Sequence, residues 1–253
     1  MPGGVQSPVF SKHRIVGGGR RSGVRCPSCL ATDRERLVFM FLHPLLGACK
    51  PPARVLHVAP EPATSRVLRR LPGIKYFTAD LTLQRGPELQ TDITRIALRA
   101  ESVDILICNH VLEHVVEDRQ AALEIHRVLT PDGVAVLQVP ICLSRGRSIE
   151  GALGLSETTR LRSLGQSDHV RIYGYAAYVS LLRSVGFAVR RWRLADSIHQ
   201  SEIEVFGLNP AESVYVCYKQ KAISADLWRE SERSLVDCVR RLWSLCDSQS
   251  LLF

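Results

Sequence analysis

Along this chain, short apolar runs alternate with stretches that carry a helical repeat. Four runs stand out: Arg54 to Val58, Val103 to Cys108 and Val134 to Val139, dense in Val, Ile and Leu, and Lys75 to Ala79, which carries Tyr and Phe. Strands have this composition when both faces are buried, as in a parallel sheet covered by helices. Between the runs, Pro62 to Leu71 and Glu117 to Leu129 have helical spacing, the first with proline in its opening turn and the second with acids at its start. The alternation predicts repeated β-α-β units. Thr130-Pro131-Asp132-Gly133 reads as a turn that reverses the chain.

The flanks extend this pattern. Leu37, Phe41 and Leu45 recur at helical spacing, which predicts a lead-in helix from Asp33 to about Ala48, ended by Pro51 and Pro52. Residues 1 to 33, with Gly17, Gly18 and Gly19 in a row, have no period and read as a loop or small ribbon. After Pro140 the stretch 141–171 is polar and aperiodic, which suggests an inserted lid or substrate loop. A helix from Tyr175 to Val185, closed by Gly186, leads to two last runs, Phe187 to Leu194 and Ser213 to Lys219, for a sheet of about seven strands. Past Asp226, Leu235, Val239, Leu242 and Cys246 share a helical face, read as packing on its own domain rather than as a dimer contact. The domain plan is thus an N-terminal segment 1–50, a main domain 51–220 and a helical tail 221–253, as a monomer or homodimer.

Composition narrows the class. A chain of 253 residues, 45% hydrophobic, can bury a sizeable core. Leu37 to Cys49, the longest apolar stretch, is broken by His43 and Pro44 and is too short to cross a bilayer of roughly 30 Å. The first residues hold no continuous apolar segment, so the expected location is the cytoplasm, with no membrane partner. There the eight cysteines stay reduced, and Cys108, Cys142 and Cys217, in or beside apolar runs, read as small buried hydrophobes. Cys26-Pro27-Ser28-Cys29 is half of a tetrahedral zinc site. His13 offers a third ligand, but a degraded zinc knuckle is the reading adopted.

The net charge of +8 is uneven: Lys12, Arg14, Arg20, Arg21 and Arg25 all precede the first acid, Asp33. This basic arm could meet nucleic acid, a nucleotide-linked substrate or an acidic partner, or remain a solvated tail. Apart from Phe10 no aromatic residue alternates with the charges, so a base-stacking surface is not indicated.

In an open parallel sheet, ligands bind beyond the carboxyl ends of the strands. The first such loop, His57-Val58-Ala59-Pro60-Glu61-Pro62, has no glycine, which removes the main support for a dinucleotide-dependent dehydrogenase. Asp80 ends the second strand, where a carboxylate can accept from both ribose hydroxyls; a helix cap or surface acid is the alternative. Asp92-Ile93 follows a short third run, and Cys108-Asn109-His110-Val111-Leu112-Glu113-His114 follows the fourth.

Four motifs stand in order: L-H-x-A-P-E at Leu56 to Glu61, N-H-V-L-E-H at Asn109 to His114, E-x-x-R-V-L-x-P-x-G at Glu124 to Gly133, and D-H-V-R-x-Y-G at Asp168 to Gly174. With them the chain, from about residue 26 to 219, resembles the class I S-adenosylmethionine-dependent methyltransferases, and within these a bacterial subgroup. The resemblance implies an α/β, Rossmann-like, seven-stranded, mostly parallel sheet with helices on both faces and the last strand antiparallel. It implies that His57, Val58, Ala59, Pro60 and Glu61 approach the methionine end of the cofactor, with the next helix N-terminus meeting its carboxylate. Asp80 would hold the ribose, Asp92 and Ile93 would bracket the adenine, and Asn109 and His110 would lie beside the sulfonium. Relatives carry a second C-P-x-C where this chain has Ser7-Pro8-Val9-Phe10, so two of four zinc ligands are replaced.

Methyl transfer needs an aligned nucleophile and, for a poor one, a base. His110 and His169 are the catalytic candidates, ahead of His114. Asp168, His169, Arg171 and Tyr173 form a constellation suited to gripping a polar acceptor; a salt bridge pinning the lid is the alternative. The expected reaction is methyl transfer to a small-molecule or glycan acceptor, at oxygen. The alternatives are an RNA or other nucleic-acid methyltransferase, or an inactive cofactor-binding module.

Overall fold

The computed structural model describes residues 2–151 and 154–219. In chain order the elements are α1 (Pro8–Lys12), β1 (Ile15–Val16), α2 (Asp33–Ala48), β2 (Ala53–Val58), α3 (Pro62–Leu68), β3 (Ile74–Asp80), β4 (Leu89–Gln90), β5 (Val103–Asn109), α4 (Asp118–Val128) and β6 (Leu129–Gln138). They continue with β7 (Ile141–Cys142), β8 (Ile149–Glu150), α5 (Glu157–Leu164), β9 (Arg171–Gly174), α6 (Tyr175–Ser184), β10 (Ala188–Arg193), α7 (Leu194–Ser197), α8 (Gln200–Val205) and β11 (Ser213–Tyr218). The tail expected over 221–253, with Leu235, Val239, Leu242 and Cys246, lies outside the described residues.

The main sheet has the order β10-β11-β6-β5-β2-β3-β4, parallel except for β11, which runs antiparallel to both neighbours. Side chains alternate between faces along each strand, so one strand feeds two cores. Leu56, Leu106, Ala135 and Cys217 pack with α4 and α6 on one face. Their sequence neighbours Val55, Ile105, Val134 and Val216 pack with α2 and α3 on the other. The continuous apolar runs are the imprint of this double burial.

Caps fix the helix starts. At α2, the Thr32 hydroxyl accepts from the Glu35 amide while the Glu35 carboxylate accepts from the Thr32 amide, a reciprocal capping box. One departure from the expected elements concerns Thr130 to Gly133, which lies inside β6 rather than in a reversing turn. Val103 pairs with Leu129 but Ile105 with Val134, so the extra residues bulge out and the strand continues.

A second, four-stranded sheet, β1-β7-β9-β8, joins the N-terminal segment to the stretch 141–174. Its core is Val9, Phe10, Ile15, Cys142, Leu164 and Ile172. The N-terminal arm is therefore folded onto the segment expected to be an insertion. Part of its charge is engaged inside the fold, Arg21 pairing with Asp33 at 2.5 Å, while Lys12, Arg14, Arg20 and Arg25 are exposed. Among the described residues no helix is long and apolar enough to cross a membrane.

Candidate functional site

Chain order reverses between β2 and β5: from β2 the chain steps to β3 and β4 on one side, and from β5 to β6 on the other. Ligand crevices form at such a point. The strand tips there are level, Val58 pairing with Ala79 on one side and Cys108 on the other. The first residue beyond each of the two central strands is left-handed, Ala59 with φ 47° and His110 with φ 55°. A non-glycine residue held there costs of order 1–3 kcal/mol, and such strain gathers at functional sites. The amide of Ala59 donates to the Ala79 carbonyl at 2.8 Å, and that of His110 to the Gln138 carbonyl at 2.8 Å. The glycine-free loop thus makes a glycine-like turn with alanine.

Across these turns Asn109 Nδ2 donates to Glu61 Oε2 at 3.4 Å. Asn109 is buried, and its Oδ1 has no hydrogen-bond partner among the described residues. Asp80 stands half-buried at the end of β3, its Oδ1 accepting from the Thr82 amide at 3.2 Å. Asp92, two residues past β4, uses Oδ1 to cap the next turn through the amide and hydroxyl of Thr94, each at 2.8 Å. Ile93 is buried in the same core cluster as Val58 and Ala79. Glu61, Asp80, Asp92 and Asn109 therefore share one end of the sheet, on four successive parallel strands.

Two expected cofactor contacts are corrected. His57 is fully buried, with Nδ1 2.9 Å from the Tyr76 hydroxyl and Nε2 2.7 Å from Glu61 Oε2. It orients Glu61 from beneath and offers no surface to a ligand. The N-terminus of α3 is also occupied: the amides of Ala63 and Thr64 donate to Glu35 Oε1 at 2.8 and 3.3 Å. A cofactor carboxylate has no open amides there, because the capping acid of α2 already takes them.

Beside the tips lies a small cleft lined by residues that include Val16, Gly17, His110, Gln138, Glu212 and Tyr215. His110 belongs to both places, following Asn109 in sequence and standing on the cleft wall. Burial and the nearby Arg34 hold its pKa well below the usual imidazole range. Glu212 is buried, and its carboxyl is pushed up to about 7 by desolvation and by Asp33. Arg21 lies 3.6 Å from it. Sequence reasoning passed over Gly17, Gln138, Glu212 and Tyr215. The signals were a glycine run and polar residues at the margins of apolar strands, which only folding brings together.

The expected acceptor-gripping set, Asp168, His169, Arg171 and Tyr173, lies apart from this cleft. Arg171 donates to the carbonyls of Leu112, Val115 and Val116 and pairs with Glu150 at 3.1 Å. Tyr173 donates to Asp118 at 2.7 Å. Asp168 is exposed, with its Oδ2 3.4 Å from His114 Nδ1. His169 is buried edge-on to His114, ring centroids 4.8 Å apart. Of the two catalytic candidates, His110 alone is on the cleft.

Cys26 and Cys29 straddle a turn in which the Leu30 amide donates to the Cys26 carbonyl at 3.1 Å. Among the described residues no third histidine, cysteine or acid joins them to make a metal cluster, and His13 instead caps α1. A cluster of that kind does occur elsewhere: Glu113, His114 and His169.

Residues 50–137 match the family model of a methyltransferase domain, Methyltransf_11, a stretch that runs from just before β2 into β6. It contains every strand tip described above. No curated protein matches the chain in sequence. Among solved structures, the YcgJ protein of Bacillus subtilis is 19% identical with a TM-score of 0.43, over 77% of this chain and 82% of that one. The 1,6-didemethyltoxoflavin-N1-methyltransferase of Burkholderia thailandensis, solved with S-adenosylhomocysteine, is also 19% identical with a TM-score of 0.43, over 72% and 76%. A SAM-dependent methyltransferase of Thermotoga maritima is 16% identical with a TM-score of 0.42, over 74% and 98%.

Proposed function

We propose that the protein is an S-adenosylmethionine-dependent methyltransferase acting at oxygen on a small-molecule or glycan acceptor. One observation carries the reading: Glu61 and Asn109 meet across two strained parallel strand tips within a segment that matches a methyltransferase domain. The cofactor is S-adenosylmethionine, and the residues fit it. The buried Asn109 Oδ1 lacks a donor, and the turn at Ala59 brings backbone close without a bulky side chain. Glu61 and Asn109 would face the amino-acid and sulfonium end, Asp80 the ribose, and Asp92 and Ile93 the adenine. When bound, the cofactor supplies a methyl group on a positively charged sulfur.

The chain's own contribution is alignment. Positioning of two reactants can supply roughly 7–11 kcal/mol of a barrier when water is excluded. The cleft would admit the reacting hydroxyl of the acceptor, with Gln138, Glu212, Ser213 and Tyr215 as polar groups on its lining. His110 would orient the reacting hydroxyl and take its proton. A nucleic-acid acceptor stays the alternative, since Lys12, Arg14, Arg20 and Arg25 of the arm are exposed while Arg21 pairs with Asp33.

Calorimetry with S-adenosylhomocysteine tests the cofactor assignment. Asp80→Ala is expected to lose measurable binding, and unchanged affinity in that variant would remove Asp80 from the site. His110→Ala is expected to keep cofactor affinity while turnover of a methylated acceptor falls by roughly 100- to 10,000-fold.

A further inference from the structure

We propose that Glu113, His114 and His169 bind a divalent transition-metal ion, zinc being the ion that suits the donor set. Each of the three offers a ligand atom, and these atoms lie within 4.8 Å of one another. Glu113 and His169 are each 1% exposed. Glu113 Oε2 and His169 Nδ1 have no hydrogen-bond partner among the described residues. A buried polar atom left without a partner costs about 1–3 kcal/mol, so two on neighbouring side chains need an explanation. A cation between them supplies one, because it satisfies both atoms at once.

The surroundings are those of a ligand set rather than of a chance cluster. His114 Nδ1 lies 3.2 Å from the Asp168 carbonyl and 3.4 Å from its carboxylate, the kind of outer contact that fixes a ligating imidazole. Glu113 Oε1 lies 3.2 Å from His110 Nδ1, which leaves the orphaned Oε2 for an ion. The two ligand-bearing segments are held together by backbone: the Val170 amide donates to the Glu113 carbonyl at 2.9 Å, and Arg171 ties to the carbonyls of Leu112 and Val116. A tetrahedral ion with bonds of about 2.0–2.2 Å separates its ligand atoms by about 3.5 Å, so the trio needs to close by about 1 Å. His114, 31% exposed, has the room to move and gives the ion a way in. Two imidazoles and one carboxylate favour zinc or another first-row divalent ion over magnesium or calcium, which prefer oxygen throughout.

The test uses the full chain, stripped with a chelator and titrated with Zn²⁺ or Co²⁺. Cys26→Ser/Cys29→Ser serves as the parent so that the thiol pair cannot account for uptake. The expected result is one equivalent bound, with cobalt absorption of the nitrogen and oxygen type and no intense thiolate band. Asp168→Asn is expected to weaken binding roughly 10- to 100-fold. His114→Gln and His169→Gln are expected to weaken it further; His114 is half-buried, so its replacement leaves the core packing whole, and circular dichroism checks this. No uptake by the parent, or parental affinity in His114→Gln, would overturn the site. Neither cofactor nor acceptor enters the titration, so its result is separate from the methyl-transfer reading.

Discussion

The two sheets of this protein are built on opposite plans. In the main sheet, strands of up to ten residues supply apolar side chains to both faces, and the tips carry the polar groups. In the small sheet, strands of two to four residues come from segments more than a hundred positions apart, and one aromatic ring, Phe10, anchors the core. The first plan tolerates strain at its edge because burial elsewhere is ample. The second depends on particular polar and glycine contacts, so it should yield locally while the first yields as a whole.

Leu106→Ala tests the stronger side of this contrast. Leu106 is fully buried at the centre of β5, and its truncation is expected to cost about 2–5 kcal/mol, read as a lower urea midpoint for the whole domain. Arg171→Met attacks the weaker side. It removes the donor to the carbonyls of Val115 and Val116, at about 1–3 kcal/mol, and hydrogen exchange is expected to rise over 112–116 and 149–174 before the main sheet opens. Equal loss of protection in both sheets would erase the distinction.

Gly165→Ala is a smaller perturbation of the same side. Gly165 has φ 85°, and a Cβ there would stand 2.9 Å from the Phe10 ring, so the strain is expected to cost about 1–2 kcal/mol and loosen the arm around Phe10. Fluorine NMR of labelled phenylalanine would detect this at Phe10. The smallest effect concerns pH. Glu212 has its pKa raised from near 4.5 to about 7 by burial and by Asp33, against the pull of Arg21 and Arg34. Its folded form therefore binds more protons than the unfolded chain between those values, and stability contributed by this group falls as pH rises through that window. Glu212→Gln is expected to flatten a Tm series from pH 4.5 to 7; an unchanged slope would remove Glu212 as its source.

What could be read in advance follows the same divide. The strands β2, β5, β6 and β11 announce themselves because burial on both faces forces runs such as Val103 to Cys108. Asp80 and Asn109 are legible as polar residues closing such runs. The small sheet is not legible, because Ile15 and Val16 pair with Ile141 and Cys142 through tertiary packing alone. Partner identity is hidden for the same reason. Glu35 looks like the cap of a single helix, yet it also takes the amides of the next one, and nothing in local spacing says so. His57 reads as a loop residue although its ring is sealed beneath Glu61.

One wall of the cleft is made by Val16 and Gly17, where a Cβ added to Gly17 would stand 3.5 Å from the ring of His110. Under the proposed function, acceptor shape would be judged partly by a stretch of chain that precedes the matched domain altogether. Exchanging residues 1 to 20 between related chains would recut this wall and leave the proposed nucleoside contacts of Asp80 and Asp92 as they were, so the two preferences would drift independently as sequences diverge.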